Sequence, residues 1–296
     1  MRFELTEDQR DFADSLERLL AGADTAKVAR AWADGDHEPG LKLWSRLAEQ
    51  GVTMLATEAT PVELCIAFEA LGRYAVPGPW VESAAYLPIA LGREVEGIAT
   101  VAVAPHVPFA LDADVCDTVL VVDEVGLKIA SVGDLRGSVD ATRRLFEVEA
   151  AQVFDVPDRT DEAFGIAVLA VSAQLLGLGE RILADSVTYV KQRKQFGREI
   201  GSYQAIKHAL ADVRIALDFA RPLVNAAALG EVSASAAKVA CSDAAYLASR
   251  TGLQVHGAIG YTQEFDLSIW LTKVRALVGA WGTPAWHRER LLQELV

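Results

Sequence analysis

Apolar side chains recur along this chain at two different periods, and the change of period divides it. Phe12, Leu16, Leu19 and Leu20 share one helical face behind Thr6 to Gln9, which have the spacing of a capping box. Leu43, Trp44 and Leu47 mark a second helix that ends at Gly51. Thr60-Pro61-Val62-Glu63 opens a third with a cap hydroxyl, a proline at the first helical position and a glutamate three residues on; it runs through Leu64, Phe68 and Leu71 to Gly72. Pro77 and Pro79 break the pattern before a shorter helix, Ser83 to Leu91. From Gly97 to about Pro157 the period shortens: residues 98–104, 118–122, 127–130 and 145–148 are β-branched runs separated by Pro, Asp and Gly turns.

Helical spacing then returns. Ile166, Leu169, Ala173, Leu176, Ile182, Leu183 and Val187 fall on one helix from about Asp161 to Gln192, and Ile206, Leu210, Val213, Leu217 and Val224 on another from Ser202 to Leu229, stopped by Gly230. An alanine-rich helix follows from about Ser233 to Leu253, then one through Leu267, Trp270, Val274 and Leu277, and Thr283-Pro284 caps the last. The pattern predicts a mainly α chain with a small β domain: a helical domain over 1–95, a β domain over 96–157 and a bundle of about four main helices over 158–296.

Charge narrows the partners. A formal net charge of -13 over 296 residues argues against nucleic acid or an anionic membrane. The opening carries acids where a signal peptide needs an apolar core, and no apolar run approaches the length of a membrane span, so a cytoplasmic protein is expected. Cys65, Cys116 and Cys241 are odd in number and far apart, which predicts buried thiols rather than a disulfide framework or a metal site.

Against that acidity, Tyr189 to Leu210 stands out: Lys191, Arg193, Lys194 and Arg198 crowd around Phe196 and Gly197 between the two longest helices. The dipole at a helix C-terminus accounts for Lys191 and Lys194 without any ligand. Arg193 beside Gln195 and Phe196 is different, because a guanidinium fork next to an amide and an aromatic ring suits a flat ligand carrying a diphosphate.

Arg-x-Gln-Phe-Gly followed by Ile-x-x-Tyr-Gln-x-Ile-Lys-His-x-Leu-Ala-Asp resembles the C-terminal domain of acyl-CoA dehydrogenases, flavoenzymes that desaturate acyl-CoA thioesters. The block Gln254 to Asp266 is similar to the family's other signature, and the opening Phe3 to Arg10 is also family-like, so the resemblance covers nearly the whole chain. It implies a helical domain, a middle β domain and a four-helix bundle. It also implies FAD as cofactor, an acyl-CoA substrate and an electron-transferring flavoprotein as acceptor. Carried over position by position, Arg193, Gln195, Phe196, Gln204, Gln254, Gly257 and Gly260 would hold the diphosphate and adenosine of a flavin whose ring lies in a neighbouring subunit. Ala258 departs from the family, which commonly has glycine there.

The other half of the site is missing. The resemblance places a catalytic glutamate either just before Gly282-Thr283, where this chain has Trp281, or in the long helix, where it has Ala167; neither can accept a proton. The family's Thr-Glu-Pro turn and Trp-x-Thr strand, which grip the flavin ring, are absent, Ala104-Pro105-His106 being at best a remnant of the first, and the β region is short. No catalytic residue is therefore expected, and Glu180, Glu264, Asp266, His208 and His256 are read as structural. These features resemble the shorter, degenerate subunit of bacterial α2β2 acyl-CoA dehydrogenases that act on bulky acyl groups such as steroid side chains, with the larger subunit carrying the base. The alternatives are a self-sufficient homo-oligomeric dehydrogenase with a displaced base, and a scaffold subunit that binds no flavin.

Overall fold

A computed structural model of the chain describes residues 4–157 and 159–294. The N-terminal part comprises α1 (Glu7–Ala21), α2 (Thr25–Ala33), α3 (Glu38–Glu49), α4 (Leu55–Glu58), α5 (Pro61–Arg73) and α6 (Leu87–Leu91), the last entered through a π-helical turn at Glu82–Tyr86. Both sequence-level caps form. Thr6 and Gln9 bond reciprocally at 3.0 and 3.2 Å, and Thr60 accepts from the Val62 amide at 3.3 Å while Glu63 reaches back to the Thr60 amide at 3.1 Å. Helix α2 is not marked by the sequence pattern. Its apolar face is short, yet it buries Val28, Ala29 and Trp32.

The β region is a five-stranded sheet of β1 (Ala99–Val103), β2 (Ala110–Leu111), β3 (Thr118–Val122), β4 (Leu127–Arg136) and β5 (Leu145–Asp155), in the order β1-β3-β4-β5-β2. Only β1 and β3 pair in parallel. Strands β4 and β5 extend well past the expected runs 127–130 and 145–148, and the added second half of each is exposed. An exposed strand extension carries no steady apolar alternation to betray it.

The C-terminal part is α7 (Thr160–Gln192), a small hairpin of β6 (Lys194–Gln195) and β7 (Arg198–Glu199), then α8 (Gln204–Ala228), α9 (Ala234–His256), α10 (Leu267–Gly279) and α11 (Pro284–Glu294). Helices α7, α8, α9 and α10 pack as the bundle, and Thr283 accepts from the Trp286 amide at 3.3 Å to start α11. Helix α7 corrects one expectation: its 33 residues are long and apolar enough to cross a membrane, but 78% of its most apolar window is buried within the protein. It is the core helix. Cys116 is half-buried, whereas Cys65 and Cys241 are buried as expected.

The N-terminal helices join the bundle by an unusually close approach. A Cβ added at Gly72 of α5 would fall 2.1 Å from the Gln174 carbonyl oxygen, and one at Gly177 of α7 would fall 2.0 Å from that of Glu69, so only glycine permits this contact. Beside it Arg221 of α8 bridges Glu69 (2.7 and 2.9 Å) and Glu180 (2.9 Å), and Arg214 pairs with Glu180 at 2.7 and 2.8 Å.

Candidate functional site

The candidate cofactor-binding residues lie at one end of the bundle. The backbone of Phe196 and Gly197 is left-handed, with φ of 51° and 79°, which closes a two-residue hairpin between β6 and β7. Phe196 is held at the tip with 92% of its surface exposed. The hairpin is anchored, since the Ile200 amide donates to the Arg193 carbonyl at 2.9 Å and the Arg198 guanidinium lies 4.0 Å over the Tyr203 ring. Arg193 and Gln195 are exposed, and the Arg193 side chain makes no ion pair among the described residues. Gln204 opens α8 directly after this segment and is also exposed.

The second block meets the first through an aromatic stack. Tyr189, one turn before Arg193, lies 4.2 Å from the His256 ring at 28°, and His256 is fixed by a 2.8 Å bond between Nδ1 and the Gly252 carbonyl. His256 is therefore a packing residue, as expected. The end of α9 carries Gln254 and Gly257 into an open groove of about 570 Å³, lined also by Tyr246, Ser249, Arg250 and Tyr261. Gly257, at φ 62°, has open space where a Cβ would stand. Gly260 differs. It is buried, and a Cβ there would meet Leu253 and His256 at 3.2 Å, so this glycine serves helix packing rather than an open approach to a ligand. Tyr246 and Arg250 escaped the sequence reading, although with Gln254 they recur every four residues on one face of α9.

The positions expected to lack a base lie elsewhere, inside the protein. Trp281 is 1% exposed, at a left-handed φ of 56°, with its ring 5.1 Å from Tyr86 and 5.7 Å from Phe164. His106 and Trp286 continue the cluster, their rings 4.2 Å apart, and His106 lies 5.4 Å from Phe164. Ala167, one turn beyond Phe164, is fully buried. The backbone that carries Trp281 is pinned: His287 bonds the Trp281 carbonyl through Nε2 and Ser235 Oγ through Nδ1, each at 2.9 Å, and Lys238 Nζ donates to the Leu277 and Val278 carbonyls at 2.9 and 3.0 Å. Burial lowers the His287 imidazole to about 4 and the Lys238 ammonium to about 7.

Glu180, Glu264 and Asp266 are not poised as bases. Burial pushes Glu180 up, but its hydrogen bonds from Arg214 and Arg221 outweigh this and hold it below the usual carboxylate range. Asp266 bonds Arg30 of α2 at 2.9 Å, and Glu264 is exposed. His208 is exposed on α8.

Helices, a small mixed sheet and a helical bundle follow one another in that order, which is the three-part, mainly α architecture that the sequence resemblance implies. Residues 158–296 match the family model described as acyl-CoA dehydrogenase, C-terminal domain. Along its whole length the chain is similar to the acyl-CoA dehydrogenase IpdE2 of Mycobacterium tuberculosis, 28% identical over 313 aligned positions that cover 98% of each protein. Butyryl-CoA dehydrogenase from Megasphaera elsdenii has the same fold, with a TM-score of 0.82, 19% identity and 100% of both chains covered. So does a chain of the ChsE4-ChsE5 complex from Mycobacterium tuberculosis, with a TM-score of 0.82, 19% identity, and 100% and 99% covered. Residues 158–296 thus match the C-terminal domain of acyl-CoA dehydrogenases, and over its whole length the chain is similar to an acyl-CoA dehydrogenase in sequence and has the fold of one.

Proposed function

We propose that this chain is a subunit of an FAD-dependent acyl-CoA dehydrogenase, lending the adenosine-diphosphate half of the flavin site to a larger partner that carries the catalytic glutamate. The observation that carries the proposal is the contrast between the two halves. Where the family has its base, this chain has Trp281 and Ala167, sealed among Tyr86 and Phe164. A flavin ring and a thioester do not fit there. At the far end, a guanidinium with no ion pair among the described residues, an exposed ring and an open groove suit a dinucleotide.

Arg193 meets the diphosphate charge, Phe196 packs on the flat ring system, and Gln195, Gln204 and Gln254 offer amide hydrogen bonds around it. Gly257 keeps the backbone clear for close approach. The flavin these residues would hold would supply the acceptor for the hydride leaving the β carbon of the acyl group. This chain's own residues hold and orient it, and neither Trp281 nor Ala167 can take the α proton. An α2β2 assembly is the simplest one that supplies what is missing, and the ChsE4-ChsE5 neighbour, a complex of two chains, supports that reading. A bulky acyl substrate, such as a steroid side chain, is part of the same proposal.

Arg193→Ala in the purified complex tests the assignment. Flavin retention is expected to fall by at least tenfold while the subunits stay associated. A scaffold that binds no flavin would lose none.

A further inference from the structure

A second, smaller cavity of about 260 Å³ lies between the segment before β2, the turn before β5 and the end of α10. Its walls are mainly apolar, with Phe109, Leu145, Ala276 and Ala280 among them, and its polar side chains include His106 and Arg143. Arg143 is half-buried. Its neighbour Arg144 pairs with Asp112 and Asp114, but Arg143 has no ion pair among the described residues. Neither of the two buried acids its field reaches forms an ion pair with it. Glu82 is fully buried with both oxygens unpartnered, and burial raises its pKa against the field of Arg143. Burial pushes Asp112 up to about 6, against its bonds from Trp32 and Arg144, and those two groups already engage it. A half-buried guanidinium without an ion pair, set beside apolar walls, offers an anion of matching shape a charge-assisted bond and an apolar cover at once.

We propose that this cavity binds a small carboxylate with an apolar body, the carboxylate gripped by Arg143 and the body covered by Phe109, Leu145 and Ala276. A planar monoanion matches one guanidinium fork, whereas a phosphate dianion would call for more donors than these walls provide. The inference does not depend on the adenosine-diphosphate site at the opposite end of the bundle; the cavity adjoins the Trp281 cluster through His106 and Ala280.

Calorimetric titration of the full-length chain, in whatever complex it purifies, with hexanoate tests it. One hexanoate per chain is expected. Arg143→Gln should weaken binding at least tenfold, Ala276→Phe, which fills the cavity, should abolish it, and methyl hexanoate should bind at least tenfold more weakly than the acid. Circular dichroism establishes that each variant is folded, and the ester comparison on the unaltered chain decides the matter if a variant is not. Absence of hexanoate binding at millimolar concentration overturns the proposal. So does equal affinity for the ester, unchanged affinity in a folded Arg143→Gln chain, or displacement of hexanoate by equimolar inorganic phosphate.

Discussion

Trp281 decides more than any other single residue. A carboxylate at its position would stand fully buried between Tyr86 and Phe164, beside the equally buried Glu82, with no cation paired to it. Restoring the family's glutamate by Trp281→Glu is therefore expected to give this chain no dehydrogenase activity of its own in a standard dye-reduction assay. Activity appearing in the isolated variant would show that the cleft is open. Trp281→Ala should lower stability by about 3 to 5 kcal/mol, read from urea midpoints, because a large ring is removed from a packed cluster. The sequence shows that Trp281 is not an acid. It cannot show that the indole fills the space, since Tyr86 and Phe164 come from distant segments whose meeting depends on the whole fold.

At the scale of elements, the contact between α5 and α7 is the tightest joint. Gly177→Ala places a methyl 2.0 Å from the Glu69 carbonyl oxygen, and the helices must part to relieve it. A loss of about 2 kcal/mol or more is expected in chemical denaturation, against a few tenths for an exposed helical Gly→Ala change. Helices with a long apolar stripe and a marked cap, such as α1, α5, α7 and α8, are legible from spacing alone. What escapes are α2, whose stripe is too short, and the β6–β7 hairpin, whose strands have two residues each. The basic residues of that hairpin are legible as candidates. Its left-handed tip, which projects Phe196 into solvent, is not, because phenylalanine rarely adopts that backbone.

Across the whole molecule, two buried groups oppose each other in mild acid. The His287 imidazole, lowered by burial from the usual 6.5 to about 4, leaves the unfolded chain holding a proton that the folded one refuses, so its contribution falls as pH drops from 6.5 towards 4. Asp112, raised to about 6, does the reverse: the folded chain keeps a proton that the unfolded one releases, so stability rises as pH drops from 6 towards 4. Each amounts to roughly 3 kcal/mol at most, and they act in opposite directions. Asp112→Asn should remove the opposing contribution, so that the loss of stability between pH 6.5 and pH 4.5 in urea unfolding exceeds that of the unaltered chain by more than about 1 kcal/mol. Neither effect is legible in the sequence, since burial depends on which residues surround the group in three dimensions.

The central claim concerns what one chain can do alone, and flavin stoichiometry tests it most directly. The chain is purified by itself and again with the larger subunit proposed to associate with it, and flavin absorbance is measured against protein in each. The account predicts a colourless, inactive chain in isolation and one flavin for every unlike pair. A yellow, active protein with one flavin per chain, made from this sequence alone, would contradict it.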